Sequence, residues 1–389
     1  MSKRALSCLI PGVLVAAAAA LPVAVAGPIN PPAGPVASTP GPEPRIPIGP
    51  TTTPGDANSV YRIIQSGSYY LTGNVSGLAA FNGIEIGASG VTLDLNGFDV
   101  LGAANSLDGI STTGSLRNIT IRNGSVRNWG GDGVDVSTSL SRSVRVEGVQ
   151  SSGNVGAGIR AGDAGLAVNC HTSFNGEDGI SSAAVVIGCV AQSNARYGIS
   201  ISNGGSVADS AASGNTSNGI YAGNGCTVTN CTSKSNGDGI IAFGDSLIKE
   251  CSATDNAGYG INGQAGTTII DCIASDNGSD GIIVLNRSLV RGNTCSSNVS
   301  DGIFVSSFGT SRIEGNHMTD NGRGLHVIGS GNVILRNTAS GNTSTNWLIA
   351  ANNNVAPIID RTAAVSAAIN GNSAPSSLGT TDETANFTH

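Results

Sequence analysis

Residues 236–255 read NGDGIIAFGDSLIKECSATD, residues 256–276 read NAGYGINGQAGTTIIDCIASD and residues 277–297 read NGSDGIIVLNRSLVRGNTCSS. Each stretch starts on Asn, reaches a Gly-Ile pair three or four residues later and carries a second short apolar run near its middle. The pair recurs in both directions. It stands earlier as Gly83-Ile84, Gly109-Ile110, Gly133-Val134, Gly158-Ile159, Gly179-Ile180, Gly198-Ile199 and Gly219-Ile220, and later as Gly302-Ile303 and Gly324-Leu325. From Gly158 onward the spacing settles at 19–22 residues. Asn346-Trp347-Leu348-Ile349 reads as a degenerate further copy. No unit offers an apolar stripe with a 3.6-residue period long enough for a helix. A helix-free unit of about 20 residues is neither leucine-rich nor ankyrin-like, and it is too short for a propeller blade of about 40. A coil remains: one unit is one turn, and each strand pairs in parallel with its copy one turn on, at a rise of about 4.8 Å. The expectation is an all-β solenoid of about 13 turns of roughly 21 residues, over residues 56–350.

Composition agrees. Gly supplies 56 of 389 residues, about twice the usual share, without the three-residue period of collagen. Hydrophobic residues at 39% exclude a charged disordered chain, and a net charge of −7 lacks the basic footprint of a nucleic-acid binder. Lys3 and Arg4, an apolar stretch from Ala5 to about Val23 and the small-x-small site Ala24-Val25-Ala26 read as a signal peptide, residues 1–26. Its removal takes Lys3 and Arg4 away and brings the net charge to −9. No other stretch is long and apolar enough to span a bilayer. Residues 27–55 hold ten of the fourteen prolines and read as an extended spacer, because proline fixes φ and lacks the N–H. Between Asp56 and Ala356 there is no proline, as an uninterrupted ladder of strands requires. Residues 351–389 read as a C-terminal tail packing on the solenoid.

Stacking turns a repeat into ladders of like residues. Asn154, Asn175, Asn194, Asn215, Asn236, Asn256, Asn277, Asn298, Asn321 and Asn342 share one phase. Asn tolerates left-handed geometry at a bend, and its amide bonds to the amides above and below. Cys170, Cys189, Cys231, Cys251 and Cys272 share a second phase, with Ser210 in the gap and Asn293 closing the series. Cys226 and Cys295 lie off it. With Cys8 lost in the signal peptide, the odd number left opposes a fully paired disulfide framework, so these read as free thiols in a narrow core.

The N-x-x-x-G-I phase, the opening segment Ser66-Gly67-Ser68-Tyr69-Tyr70-Leu71-Thr72-Gly73-Asn74 and Val91-Thr92-Leu93-Asp94-Leu95-Asn96-Gly97 together resemble the right-handed parallel β-helix, pectin-lyase-like proteins, in particular their exported bacterial members. Asn352-Asn353-Asn354-Val355-Ala356-Pro357-Ile358-Ile359 and Ala385-Asn386-Phe387 resemble the closing segments of that group. The resemblance implies a right-handed coil on a secreted or cell-surface bacterial protein. The fold hosts lyases, hydrolases, epimerases, tailspikes and adhesins, so it does not choose an activity. Pectate lyases of the fold carry a Trp-Ile-Asp-His segment. Its polygalacturonases carry Asn-Thr-Asp, Asp-Asp and Gly-His-Gly, and its alginate epimerases Asp-Pro-His-Asp. None of these sets occurs here.

In the strand after each Gly, side chains alternate between core and solvent. The outward row is then Glu85, Ser111, Asp135, Arg160, Ser181, Ser200, Tyr221, Ile241, Asn262, Ile283, Phe304 and His326. Its polar part brings Asp132, Asp135, Arg160 and Asp178 near one another, a carboxylate–guanidinium set suited to holding a sugar or to acid–base chemistry. The opposing reading is a solvated face with Asp residues capping turns, since Asp recurs before Gly at 108, 132, 178, 238, 280 and 301. Asp280 and Asp301, equivalent on consecutive turns, offer a calcium site, since a hard cation would relieve their repulsion; the opposing reading is a pair of hydrated carboxylates. The apolar part, with Ile241, Phe243, Ile283, Leu285, Phe304 and Ile328, reads as a contact surface for the tail, a second copy or a ligand. His317, His326, Arg323 and Asp320 fringe it, where a His–Asp pair has the chemistry for proton transfer. Two functions follow: an exported protein that binds or processes a polysaccharide or cell-envelope glycan, or a non-catalytic structural or adhesive surface rod.

Overall fold

The computed structural model describes residues 45–137, 142–306, 309–362 and 380–389. The expected signal peptide, most of the proline-rich spacer and the middle of the tail lie outside the described residues. Within them the chain winds as a right-handed parallel β-helix of about 14 turns with about 21-residue spacing. Three parallel sheets run along it. The first starts at Ser59–Ile63, passes through the strand after every Gly-Ile pair and ends at Thr345–Ile349. Its first strand carries no Gly-Ile signature, which is why the sequence count stopped near 13. The second sheet runs from Ile46–Pro47 to Asn354–Val355, and the third starts at Val75–Ser76. Among the described residues no helix is long and apolar enough to cross a membrane.

The residue after each Gly, from Ile84 to Leu325, is fully buried. Each such burial contributes about 1.5–3 kcal/mol. The Gly itself is demanded by close approach. A Cβ on Gly239 would lie 2.3 Å from the Gly260 carbonyl oxygen and 2.8 Å from Asn256 Nδ2. Gly and Asn are therefore one device: the missing side chain makes room for the amide that ties the bend. Asn154 Oδ1 accepts the Trp129 N–H, and each later ladder Asn accepts, on Oδ1, both the backbone N–H and the Nδ2–H of the Asn one turn earlier. The Nδ2 to Oδ1 distances are 2.8–3.2 Å from Asn154 to Asn342.

The cysteine ladder does the same work with sulfur. The Cys170 N–H donates to Cys189 Sγ at 3.4 Å, Cys189 N–H to Ser210 Oγ at 3.1 Å and Cys251 N–H to Cys272 Sγ at 3.5 Å. Cys272 N–H then donates to Asn293 Oδ1 at 2.9 Å. Asn293 does not close the series. Asn316, Asn337 and Asn386 continue it. The position needs an acceptor for the N–H one turn back, and thiol, hydroxyl and amide all supply one. Cys170, Cys189, Cys226, Cys231, Cys251, Cys272 and Cys295 are all free and buried.

Both ends differ from expectation. The solenoid opens ten residues before residue 56: Ile46–Pro47 pairs with Tyr69 and Tyr70, and Ile48 and Thr53 are buried. Pro47 fits because the first strand of a sheet has an outer edge with no partner to satisfy. At the other end Asn386–Thr388 lies between Thr338–Ser340 and Ile358–Asp360, in parallel with both. The described part of the tail thus builds the last turn, and Asn386 adds the last rung to the series that begins with the cysteines.

Candidate carbohydrate site on the first sheet

The strand register reproduces the outward row: Arg62, Glu85, Ser111, Asp135, Arg160 and Ser181 pair in succession, and Ser200, Tyr221, Ile241, Asn262, Ile283, Phe304, His326 and Leu348 follow. Asp135 and Arg160 are register partners, yet they do not pair as ions. Arg160 Nε donates to Asp132 Oδ2 at 2.5 Å, and its other nitrogen reaches Glu177. Asp135 Oδ1 instead accepts the Ser137 N–H at 2.9 Å and its hydroxyl at 2.6 Å. Glu177, absent from the sequence reading, is the second anchor of Arg160; its place before an Asp-Gly bend carried no signal. Asp178 lies 3.7 Å from Arg196 Nε.

The Asp-before-Gly row caps backbone. Asp108 Oδ1 accepts the Asp132 N–H at 2.7 Å, Asp132 Oδ1 the Ala157 N–H at 2.6 Å and Asp178 Oδ1 the Tyr197 N–H at 3.2 Å. Asp238 serves Tyr259 and Asp280 serves Asp301 in the same way. Burial pushes the carboxyls of Asp108, Asp132, Asp178 and Asp280 above their ordinary range, and the bonds they accept offset only part of it. Two neighbours on the outward row, Ser111 and Ser181, are buried with hydroxyl oxygens that have no hydrogen-bond partner.

At the far end Asp301 is almost fully buried. Arg323 grips it through two nitrogens, and His326 Nδ1 stands 2.8 Å from Oδ2. The His326 ring stacks on Phe304 with centroids 4.8 Å apart. Asp280 Oδ1 caps the Asp301 N–H, and the Arg323 guanidinium pairs with Asp301. Among the described residues no group of three or more His, Cys, Asp and Glu is placed to hold a metal ion. Ile241, Phe243, Ile283, Leu285 and Phe304 are half-buried and Ile328 is exposed.

A β-helix with this geometry defines a class, and the chain's membership follows from comparison. The family described as right handed beta helix region matches residues 74–227 and 219–363, and this chain belongs to it. No curated protein matches the chain. The mannuronan C-5 epimerase AlgE4 A-module of Azotobacter vinelandii is similar in structure at 16% identity. The match covers 75% of this chain and 91% of that one, with a TM-score of 0.50. The periplasmic alginate epimerase AlgG aligns at 15% identity over 80% and 81%, with a TM-score of 0.44. A mannuronic acid specific polysaccharide family 6 lyase from human gut microbiota aligns at 12% identity over 76% and 86%, with a TM-score of 0.40. At such identities the likeness is one of fold.

Proposed function

We propose that this is an exported protein, secreted or held at the cell surface, that binds a polysaccharide or cell-envelope glycan along the outward face of the first sheet. One observation carries the reading. Arg160, locked by Asp132 and Glu177, stands on the rung beside Asp135, so donors and acceptors of both signs sit on a rigid sheet. Fixed polar groups on a stiff scaffold are what sugar hydroxyls need for orientation. Asp178 extends the patch by one bend. The likeness of fold to polysaccharide-modifying enzymes points the same way. A glycan array tests the reading, with product release from acidic and neutral polysaccharides measured alongside. Binding by the mature protein and its loss in D135A/R160A are expected. Binding unchanged in that variant removes the patch. Mature protein should begin at Gly27, and N-terminal sequencing that finds residues 1–26 retained removes export by this signal.

A second reading, the structural or adhesive rod, is favoured by the engagement of Asp132 and Asp178 with backbone N–H groups. Carboxylates that tie bends are poorly placed for catalysis. Binding without turnover is therefore the expected assay result. A second copy would pack on the apolar half of the row, and sedimentation over a concentration range reads that. Calcium enters as a structural ion at Asp280 and Asp301, in competition with Arg323.

A further inference from the structure

Beyond Arg160 and Ser181 the outward row turns aromatic. Tyr221 stacks on Tyr197 with ring centroids 4.8 Å apart and planes 13° apart, and Phe243 leans on Tyr221 at 5.3 Å. Tyr221 and Phe243 line an open groove of about 640 Å³ whose other wall is Asp163, Ser202, Asn203 and Asn224. That wall is internally ordered. The Ser202 hydroxyl donates to Asp163 Oδ1 at 2.9 Å, and Asn203 Oδ1 accepts the Asn224 N–H at 2.8 Å. The sequence hid the groove because its lining comes from four turns: Asp163 projects from Ile159–Val168, Ser202 and Asn203 from Ile199–Ala208, Tyr221 and Asn224 from the turn of Ile220–Ala222, and Phe243 from the turn of Ile240–Ala242.

We propose that this groove is a subsite for a neutral pyranose. The proposal rests on the reading of the first sheet as the glycan face and names the ligand class there. A pyranose has one apolar C–H face and a polar rim. The C–H face meets the negative face of an aromatic ring, and the rim hydroxyls donate to Asp163 and bond to the Asn203 and Asn224 amides. Charge selects against a polyuronate. Asp132, Asp135, Asp163, Glu177 and Asp178 outnumber Arg160 and Arg196 on this face. Arg160 is bound by two carboxylates, and Arg196 lies over Tyr197, 4.5 Å from its centroid, and beside Asp178. A chain with a carboxylate on every residue meets a net negative field, whereas neutral hydroxyls find acceptors.

Affinity electrophoresis of the mature protein tests this, in gels holding a β-glucan, a xylan or a mannan, and in gels holding alginate or polygalacturonate. Retardation by a neutral glycan and none by either polyuronate are expected, with affinity falling at least tenfold in Tyr221→Ser and in Phe243→Ala. Serine already occupies the Tyr221 row at Ser181 and Ser200, so that variant keeps the fold, and its circular dichroism should match the parent. Polyuronate binding that is lost in D135A/R160A overturns the neutral assignment and leaves the glycan face standing. Neutral binding indifferent to Tyr221→Ser and Phe243→Ala, but lost in D135A/R160A, overturns the groove alone. No retardation by any glycan overturns both.

Discussion

Replacing Asn236 by Ala removes one rung from the amide ladder in the middle of the solenoid. Asn236 is buried. Its Oδ1 accepts the Asn215 N–H and Nδ2–H, each at 2.9 Å, and its Nδ2 donates to the Ala212 carbonyl at 3.1 Å and to Asn256 Oδ1 at 3.2 Å. The variant leaves the Asn215 N–H without an acceptor in a dry interior, a cost of about 1–3 kcal/mol. The other lost bonds cost about 1 kcal/mol each, less what the site recovers by relaxing, so a total of about 3 kcal/mol is expected. Urea unfolding followed by circular dichroism reads the change, with Thr216→Ala as control. Thr216 is exposed one residue from the ladder, and its loss should stay within about 0.5 kcal/mol. A solenoid opens locally, so hydrogen exchange at the Asn215 amide gives a site-specific readout and should lose protection. A midpoint shift no larger than that of Thr216→Ala, with the Asn215 amide still protected, refutes the argument that the ladder holds the bends.

Three further outcomes are expected. Thiol reagents should leave Cys231, Cys251 and Cys272 unlabelled in the native protein and label them on denaturation, because all three are buried and free. Asp280→Asn keeps an Oδ1 acceptor for the Asp301 N–H and abolishes an ionisation that burial opposes. The Asp280 carboxyl is raised above its ordinary value of 3.8, so its stabilising contribution is full below that value and is lost as pH rises through the folded-state pKa. The variant's advantage in thermal midpoint should therefore grow from acid to neutral pH, and a flat difference counts against it. Arg323→Ala leaves Asp280 and Asp301 without the guanidinium; calcium should then raise the variant's thermal midpoint more than the parent's, and an unresponsive variant removes the calcium site.

In a parallel coil, sequence period becomes spatial contact, because each strand pairs in register with the copy one turn on. That is why the outward row from Glu85 to His326, the buried residue after each Gly and the Asn ladder from Asn154 to Asn342 were legible from spacing alone. The limits of that legibility are equally physical. Periodicity assigns backbone neighbours, whereas long charged side chains choose partners across turns. Arg160 passes over its register partner Asp135 for Asp132 and Glu177, and Asp301 is held by both Arg323 and His326. A groove lined from separate turns, as Asp163 and Tyr221 line this one, leaves no pattern in the chain. The ends escaped for another reason. Ile46–Pro47 sits in a proline-rich stretch that reads as spacer, and Asn386–Thr388 enters its sheet out of chain order, after Ile358–Asp360 and inside it. The repeat by itself determined the coil, its rungs and its inward and outward faces. Only the tertiary structure decided which charges are already spent, where the groove lies and how the coil is closed, because those depend on side-chain reach and on a strand order that no repeat encodes.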